Sequence, residues 1–330
     1  MDLRLDQAAV IEFAASALAA GHRTWLVTVV EIVGSLPRPL GSTLAYAQGQ
    51  TVGSVSGGCV EECLIERFEL DEFPMGTAHL TRYGVEADDN ERYGLPCGGK
   101  LTLLVEAISD NDLPWLREVS IALQARSWLQ RTITLDPYTC VTEPLSQHPP
   151  LAVDRQGDAW LHRLGPQHRL VLVGAGSLAE TLSALALNMD YDVCVLDPRE
   201  DKLRAWRGPA ISLLGGELAE HIEALGEPNT SLITLTHDRD IDDESLWLSR
   251  NAAYAFIGAL GSRRTSANRK RRLLERGLSD AQLDRIHAPV GVDIGSKTPM
   301  EIAVSILAQL TRLKRGVMTQ DVTRRLSLAS

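Results

Sequence analysis

The chain has 330 residues, long enough for two domains with a filled core in each, because single cores stop growing before about 300 residues. Apolar residues make up 44% and charged residues 23%, an ordinary balance for a soluble folded protein that excludes extensive disorder. The formal net charge of −10, from 33 Lys+Arg against 43 Asp+Glu, argues against general nucleic-acid binding, which rests on basic side chains neutralising phosphates.

Five scattered cysteines, and a start MDLRLDQAAV with no charged region ahead of an apolar run, indicate a cytoplasmic protein with reduced thiols. No uninterrupted apolar run approaches the ~20 residues of a membrane span, so no span is expected.

Residues 5–20 carry apolar side chains at helical spacing, with Gly21 where a C-terminal cap belongs. Residues 24–33 (TWLVTVVEIV) are β-branched and apolar and predict a buried strand, followed by a Pro-rich turn. A hairpin about Gln48-Gly49-Gln50 returns the chain to Gly53–Glu62, GSVSGGCVEE. Here Cys59 follows Gly57 and Gly58 at the start of a predicted helix, 60–69, and Cys63 shares its face four residues on. Free amides in a glycine turn beside a helix N-terminus attract anions and lower the pKa of a thiol, so Cys59 is a candidate reactive or ligating cysteine. The alternative is a small buried Cys beside a tight turn.

A polar loop is expected over 82–90. A second glycine-flanked cysteine, Cys97 before Gly98, then leads into a strand at 101–108. Residues 113–131 read as helix and 131–142 as a strand whose Cys140, with no glycine turn beside it, is structural. The composition then shifts to Pro, His, Gln and Gly. The domains are therefore placed at 1–150 and 168–330, with a linker at 151–167.

The second half opens with strand 169–173, the turn Gly174-Ala175-Gly176, Ser177 opening a helix, and a strand ending at Asp197 about 20 residues on, where a ribose-binding carboxylate belongs. This context predicts a Rossmann-type parallel sheet, so the fold class is α/β throughout. Strands at 230–236 and 253–259 end in His237-Asp238 and in Ser262-Arg263-Arg264, which should face the same crevice. Capping of the next helix is the other reading of Asp240–Asp243, and the basic run 269–272 reads as a solvated face. A last glycine turn carries Asp293 and Lys297 into Thr298-Pro299-Met300-Glu301, a capping box, and marks a second candidate anion site.

Together these motifs resemble the XdhC/CoxI family of xanthine dehydrogenase accessory factors. The resemblance rests on GSLPRPLG, SGGCVEE and PCGGKLTLLVE in the first half. In the second it rests on VLVGAGSLAE, VLDPRE, THDRDID, IGALGSRRT and APVGVDIGSKTPMEIAVSILAQL. It spans nearly the whole chain, with one departure: Ser177 stands where the family more usually has His.

The resemblance implies a chaperone that binds the molybdenum cofactor (a molybdopterin, as mononucleotide or dinucleotide form), supports its sulfuration by a cysteine desulfurase and inserts it into an apo-hydroxylase of xanthine dehydrogenase type. Cys59 and Cys97 would hold the molybdenum or the transferred sulfur, with Cys63 as accessory thiol, a role that soft thiolates suit. Gly57, Gly58 and Gly98 in the first domain would help hold the cofactor. Gly174, Gly176, Ser177, Asp197, His237, Asp238, Arg263, Arg264, Asp293 and Lys297 in the second would hold its phosphate or nucleotide end. The expected assembly is a homodimer. Two rival readings stand beside this one. The first is an NAD(P)-dependent oxidoreductase with a redox-active cysteine. The second is a zinc site of Cys59, Cys63 and Cys97, which lacks a clear fourth ligand.

Overall fold

The computed structural model describes residues 7–34, 38–84, 99–146 and 152–314. The chain divides into two compact units, residues 1–166 and 167–330.

The first unit opens with helix α1 (Gln7–Ala19), then strands β1 (Thr24–Val33), β2 (Thr43–Ala47) and β3 (Gln50–Gly53), helix α2 (Cys59–Glu69), and strands β4 (Thr77–Tyr83) and β5 (Lys100–Ile108). Among the described residues these strands form one antiparallel sheet in the order β3-β2-β1-β5-β4. Its central strand β1 is apolar without alternation because both faces are covered. Trp25, Val27 and Val29 pack with Leu64 and Phe68 of α2, while Leu26 packs with Ile11 of α1 and Leu116 of helix α3 (Leu113–Gln124).

After α3 the chain builds a second sheet from β6 (Trp128–Leu135), β7 (Tyr138–Leu145), β8 (Val153–Gln156) and β9 (Ala159–Leu164), in the order β7-β6-β9-β8. This corrects the sequence reading in three places. The helix expected over 113–131 ends at Gln124, and the supposed linker holds β8 and β9, whose Val153 and Trp160 are buried with Ile133 and Leu104. The single strand expected over 131–142 is a hairpin turning at Asp136-Pro137, since proline supplies no ladder N–H.

The second unit runs β10 (Arg169–Val173), α4 (Ser177–Leu187), β11 (Asp192–Leu196), α5 (Glu200–Arg204), β12 (Ser212–Leu214), α6 (Leu218–Ile222), β13 (Thr230–Thr234), α7 (Arg239–Leu248), β14 (Phe256–Ala259), α8 (Arg263–Glu275), α9 (Asp280–Asp284), β15 (Ile286–His287) and α10 (Pro299–Lys314). Its strands pair in parallel in the order β12-β11-β10-β13-β14-β15. That order is the doubly wound Rossmann arrangement, with the strand order reversing between β10 and β13. Leu178 and Leu182 of α4 and Ile306 and Leu310 of α10 cover one face. Ile222, Leu246 and Leu273, from α6, α7 and α8, cover the other.

Candidate functional site

In the first unit β3 delivers the chain to a tight loop, 54–58, from which α2 starts at Cys59. Gly53 has φ +86°, and a Cβ there would stand 2.2 Å from the Thr43 carbonyl oxygen, so only glycine allows the entry. The loop closes on one side chain. The carboxylate of Glu61, 4% exposed, accepts hydrogen bonds from the amides of Val55 (3.0 Å), Ser56 (2.8 Å), Gly57 (2.9 Å) and Gly58 (3.0 Å). The Ser54 hydroxyl donates to it at 2.8 Å, and the Ser56 hydroxyl donates as well.

Burial pushes the Glu61 pKa up, but the hydrogen bonds from Ser56, Gly57 and Ser54 outweigh it and hold the carboxyl at about 2. The amides expected to be free for an external anion are therefore occupied. Gly57 and Gly58 serve the chain's own carboxylate at the third helical position, where it also complements the helix dipole.

Cys59, the first helical residue, is exposed, and Cys63 one turn on is half-buried. The Tyr83 hydroxyl lies 4.0 Å from Cys63 Sγ and accepts from Arg67 at 3.5 Å, while Arg67 pairs with Glu72 at 2.7 Å. Burial, and next Cys63, push the Tyr83 pKa up, so this hydroxyl stays protonated and able to donate. Cys140 meets Arg131 Nε at 3.4 Å, and burial pushes its thiol up to about 11, which agrees with a structural role. Cys97 and Gly98 lie outside the described residues. Among the described residues no group of three or more His, Cys, Asp or Glu side chains is placed to hold a metal ion.

In the second unit Gly174 has φ +116°, and a Cβ on it would come within 2.9 Å of Thr236 Cα, so the turn lies directly against the end of β13. Gly176 and Ser177 are exposed, α4 starts without a side-chain cap, and a Cβ on Gly176 would meet nothing within 4 Å. The start of α4 is thus exposed and has no side-chain cap, a helix N-terminus of the kind that receives phosphate.

Asp197 behaves differently from expectation. It is 0% exposed; Oδ1 accepts from Arg199 N (3.0 Å) and Nε (2.9 Å), and Oδ2 from Ala175 N (2.8 Å) and Arg199 Nη2 (2.8 Å). These bonds fill its acceptor positions, so Asp197 braces the turn and has no position left for a ribose hydroxyl. Burial opposes its charge, but Arg199 and the Ala175 amide outweigh burial and hold its pKa below the usual carboxylate range.

His237 is exposed at φ +60°, a left-handed backbone that is uncommon away from glycine and marks a strained strand end. Asp238 is the cap of α7, accepting from Asp240 N (3.0 Å) and Ile241 N (3.3 Å), so its side chain is engaged in the helix start. Asp242 and Asp243 face inward and pair with Arg269 at 3.1 and 3.3 Å, and Arg272 pairs with Asp243. The basic run 269–272 is thus not simply a solvated face, since Arg269 is 4% exposed.

Arg263 and Arg264 are exposed, and Arg263 Nη2 lies 3.3 Å from Asp293 Oδ2. At the start of α10, Glu301 accepts from the amides of Lys297 (2.7 Å) and Thr298 (2.9 Å), and its own amide donates to the Thr298 hydroxyl at 3.3 Å. The predicted capping box forms, and by forming it fills the second expected anion site. Sequence reasoning missed Glu61 and Arg199, and it read Glu301 as half of a capping box without its further bond to the Lys297 amide. The available signal was a carboxylate three residues after each helix cap.

The description "XdhC and CoxI family" matches residues 17–84, and "XdhC Rossmann domain" matches residues 170–310. The chain belongs to the XdhC/CoxI family. The matched segments of this family member contain Cys59, Cys63 and the glycine turn of β10, whereas Cys97 falls between them. A relative from Escherichia coli named "Molybdenum cofactor insertion chaperone PaoD" is 29% identical, over 94% of this chain and 89% of its own. A Bacillus subtilis relative, named as a probable subunit of xanthine dehydrogenase, is 27% identical, over 88% and 93% respectively. A Bacillus halodurans crystal structure titled as a xanthine dehydrogenase shares the fold, with TM-score 0.73 and 24% identity over 95% of this chain and 98% of that one.

Proposed function

We propose that this XdhC/CoxI protein receives the molybdenum cofactor as cargo, holds it during sulfuration by a cysteine desulfurase, and delivers it to an apo-hydroxylase of xanthine dehydrogenase type. The observation that carries this reading is Cys59, exposed on a loop that Glu61 has already closed. Because the loop amides are occupied, the thiol is what this segment offers to a ligand. A soft thiolate suits molybdenum or a transferred sulfur. Cys63, on the same helix face, acts as accessory thiol, and Cys97 is the proposed companion of Cys59. The name of the E. coli relative supports the same reading.

In the Rossmann unit the anionic part of the ligand belongs at Gly174, Gly176 and Ser177, with the exposed His237, Arg263 and Arg264 on the segments that follow β13 and β14 at the carboxyl ends of the same parallel sheet. Asp197, Asp238 and the Lys297 amide act from behind, shaping the turns they bind. The saturation of Asp197 weighs against the rival NAD(P)-dependent reading, since its ribose-binding position is blocked.

The test is co-purification from a molybdenum-replete host, with molybdenum and released pterin quantified. Cys59→Ala and Cys97→Ala are expected to lose most of the cofactor and of hydroxylase activation. Wild-type retention and activation in both variants would sink the proposal. Tight NADH or NADPH binding with substrate-dependent oxidation would favour the oxidoreductase instead.

A further inference from the structure

One buried guanidinium joins the carboxyl ends of three neighbouring strands in the second unit. Arg269 of α8 is 4% exposed, and each of its nitrogens has an acceptor. Nη1 donates to the Leu260 carbonyl (3.0 Å) just after β14, Nη2 to Asp242 Oδ2 (3.1 Å) and Nε to Asp243 Oδ1 (3.3 Å), both acids on α7. Asp243 has a second cation in Arg272, whereas among the described residues Asp242 pairs with Arg269 alone.

Through Asp242 the guanidinium reaches the end of β13. Oδ1 of that carboxylate accepts from the Thr236 amide (3.2 Å) and hydroxyl (2.7 Å). Thr236 is in turn the seat of the glycine turn after β10, so close that a Cβ on Gly174 would stand 2.9 Å from Thr236 Cα. Backbone bonds tie the same strand ends, Leu235 N to the Val173 carbonyl at 2.8 Å and Leu260 N to the Thr234 carbonyl at 3.0 Å. The run Leu260, Arg269, Asp242, Thr236, Gly174 is therefore continuous. It crosses the point between β10 and β13 where the strand order reverses, the place where sheets of this kind hold their ligands.

We propose that Arg269 is a positioning residue: without touching the ligand, it fixes the glycine turn of β10 and the loops after β13 and β14 at the spacing that receives the ligand's anionic part. The inference rests on the reading that this part of the cofactor lies at Gly174, Gly176 and Ser177. A planar guanidinium offers several donors in fixed directions, whereas a lysine ammonium is a compact point charge. Arg269→Lys thus keeps a cation beside the two acids but cannot hold Asp242, Asp243 and the Leu260 carbonyl at once. It is preferred to Arg269→Ala, which would leave buried carboxylates without their cation and endanger folding. Thr236→Val breaks the next link with little change of shape, and it carries the same test should Arg269→Lys not fold.

Two measurements test the role in the full chain. One is amide exchange of the cofactor-free protein, followed by mass spectrometry; the other is the molybdenum and released pterin retained on purification from a molybdenum-replete host. Both variants are expected to exchange about 10-fold faster over 172–174 and 234–236, with β11 at the wild-type rate, and to retain about 5-fold less cofactor. Ile222→Ala, a cavity in the buried cover supplied by α6, is the stability control. At a comparable fall in Tm it is expected to keep wild-type exchange at those positions and wild-type retention. Wild-type exchange over 172–174 in Arg269→Lys overturns the proposal, and so does a cofactor loss in Ile222→Ala equal to that in Arg269→Lys. Exchange is read without cofactor, so a wild-type chain that retains none sinks the cofactor reading while exchange still decides whether Arg269 holds the turn.

Discussion

A single carboxylate decides what the cysteine loop can do. Glu61 draws four amides and two hydroxyls onto itself, and its pKa of about 2 is the electrostatic signature of that arrangement. Because the folded pKa is depressed below the ordinary value of 4.5, the stabilisation is fully present above pH 4.5. It is lost as pH falls from there towards 2, an amount on the order of 2–3 kcal/mol. Glu61→Gln places amide donors against backbone donors and should destabilise the first unit by roughly 2–4 kcal/mol at neutral pH. Chemical denaturation checks the magnitude, and a pH series should show the acid limb flattened in the variant. The cysteine was legible from its glycines, but Glu61 was not. An acidic residue in a first helical turn reads as solvated until the burial of its carboxylate is seen.

Among the elements, the central strands of both sheets were legible because two-sided burial makes them continuous apolar runs. The β6–β9 sheet was not, since its inner positions carry polar groups that spoil the pattern. Arg131, fully buried, pairs with Glu106 at 2.5 Å and stacks 3.9 Å from the Trp115 ring, and His162 is also enclosed, with burial and then Arg131 pushing its pKa down to about 3. Pro144 on the edge strand β7 further masks that strand as loop. The helix starts could be read as caps, but which acid caps needed geometry: Asp238, not Asp240–Asp243, holds α7. Asp238→Ala should cost about 1 kcal/mol of stability in the second unit, measured by thermal or urea unfolding.

For the whole molecule, the buried clusters respect the division into units: each is built from residues of one unit alone. Fragments 1–166 and 167–330 should therefore each fold with a cooperative melt when expressed separately. An unfolded fragment, seen by near-ultraviolet circular dichroism, would show that a unit depends on its neighbour. The Rossmann half was legible as an architecture because strand, glycine turn and helix occur in order. The use of its acidic position was not, because Arg199, two residues on, converts Asp197 from a ligand group into a brace. The closed loop at Glu61 has a kinetic corollary. If Cys59 carries cargo as proposed, a thiol on a seat that does not need to open exchanges it by direct attack from solution. Transfer from Cys59 would then rise in proportion to acceptor concentration, with no plateau set by loop motion.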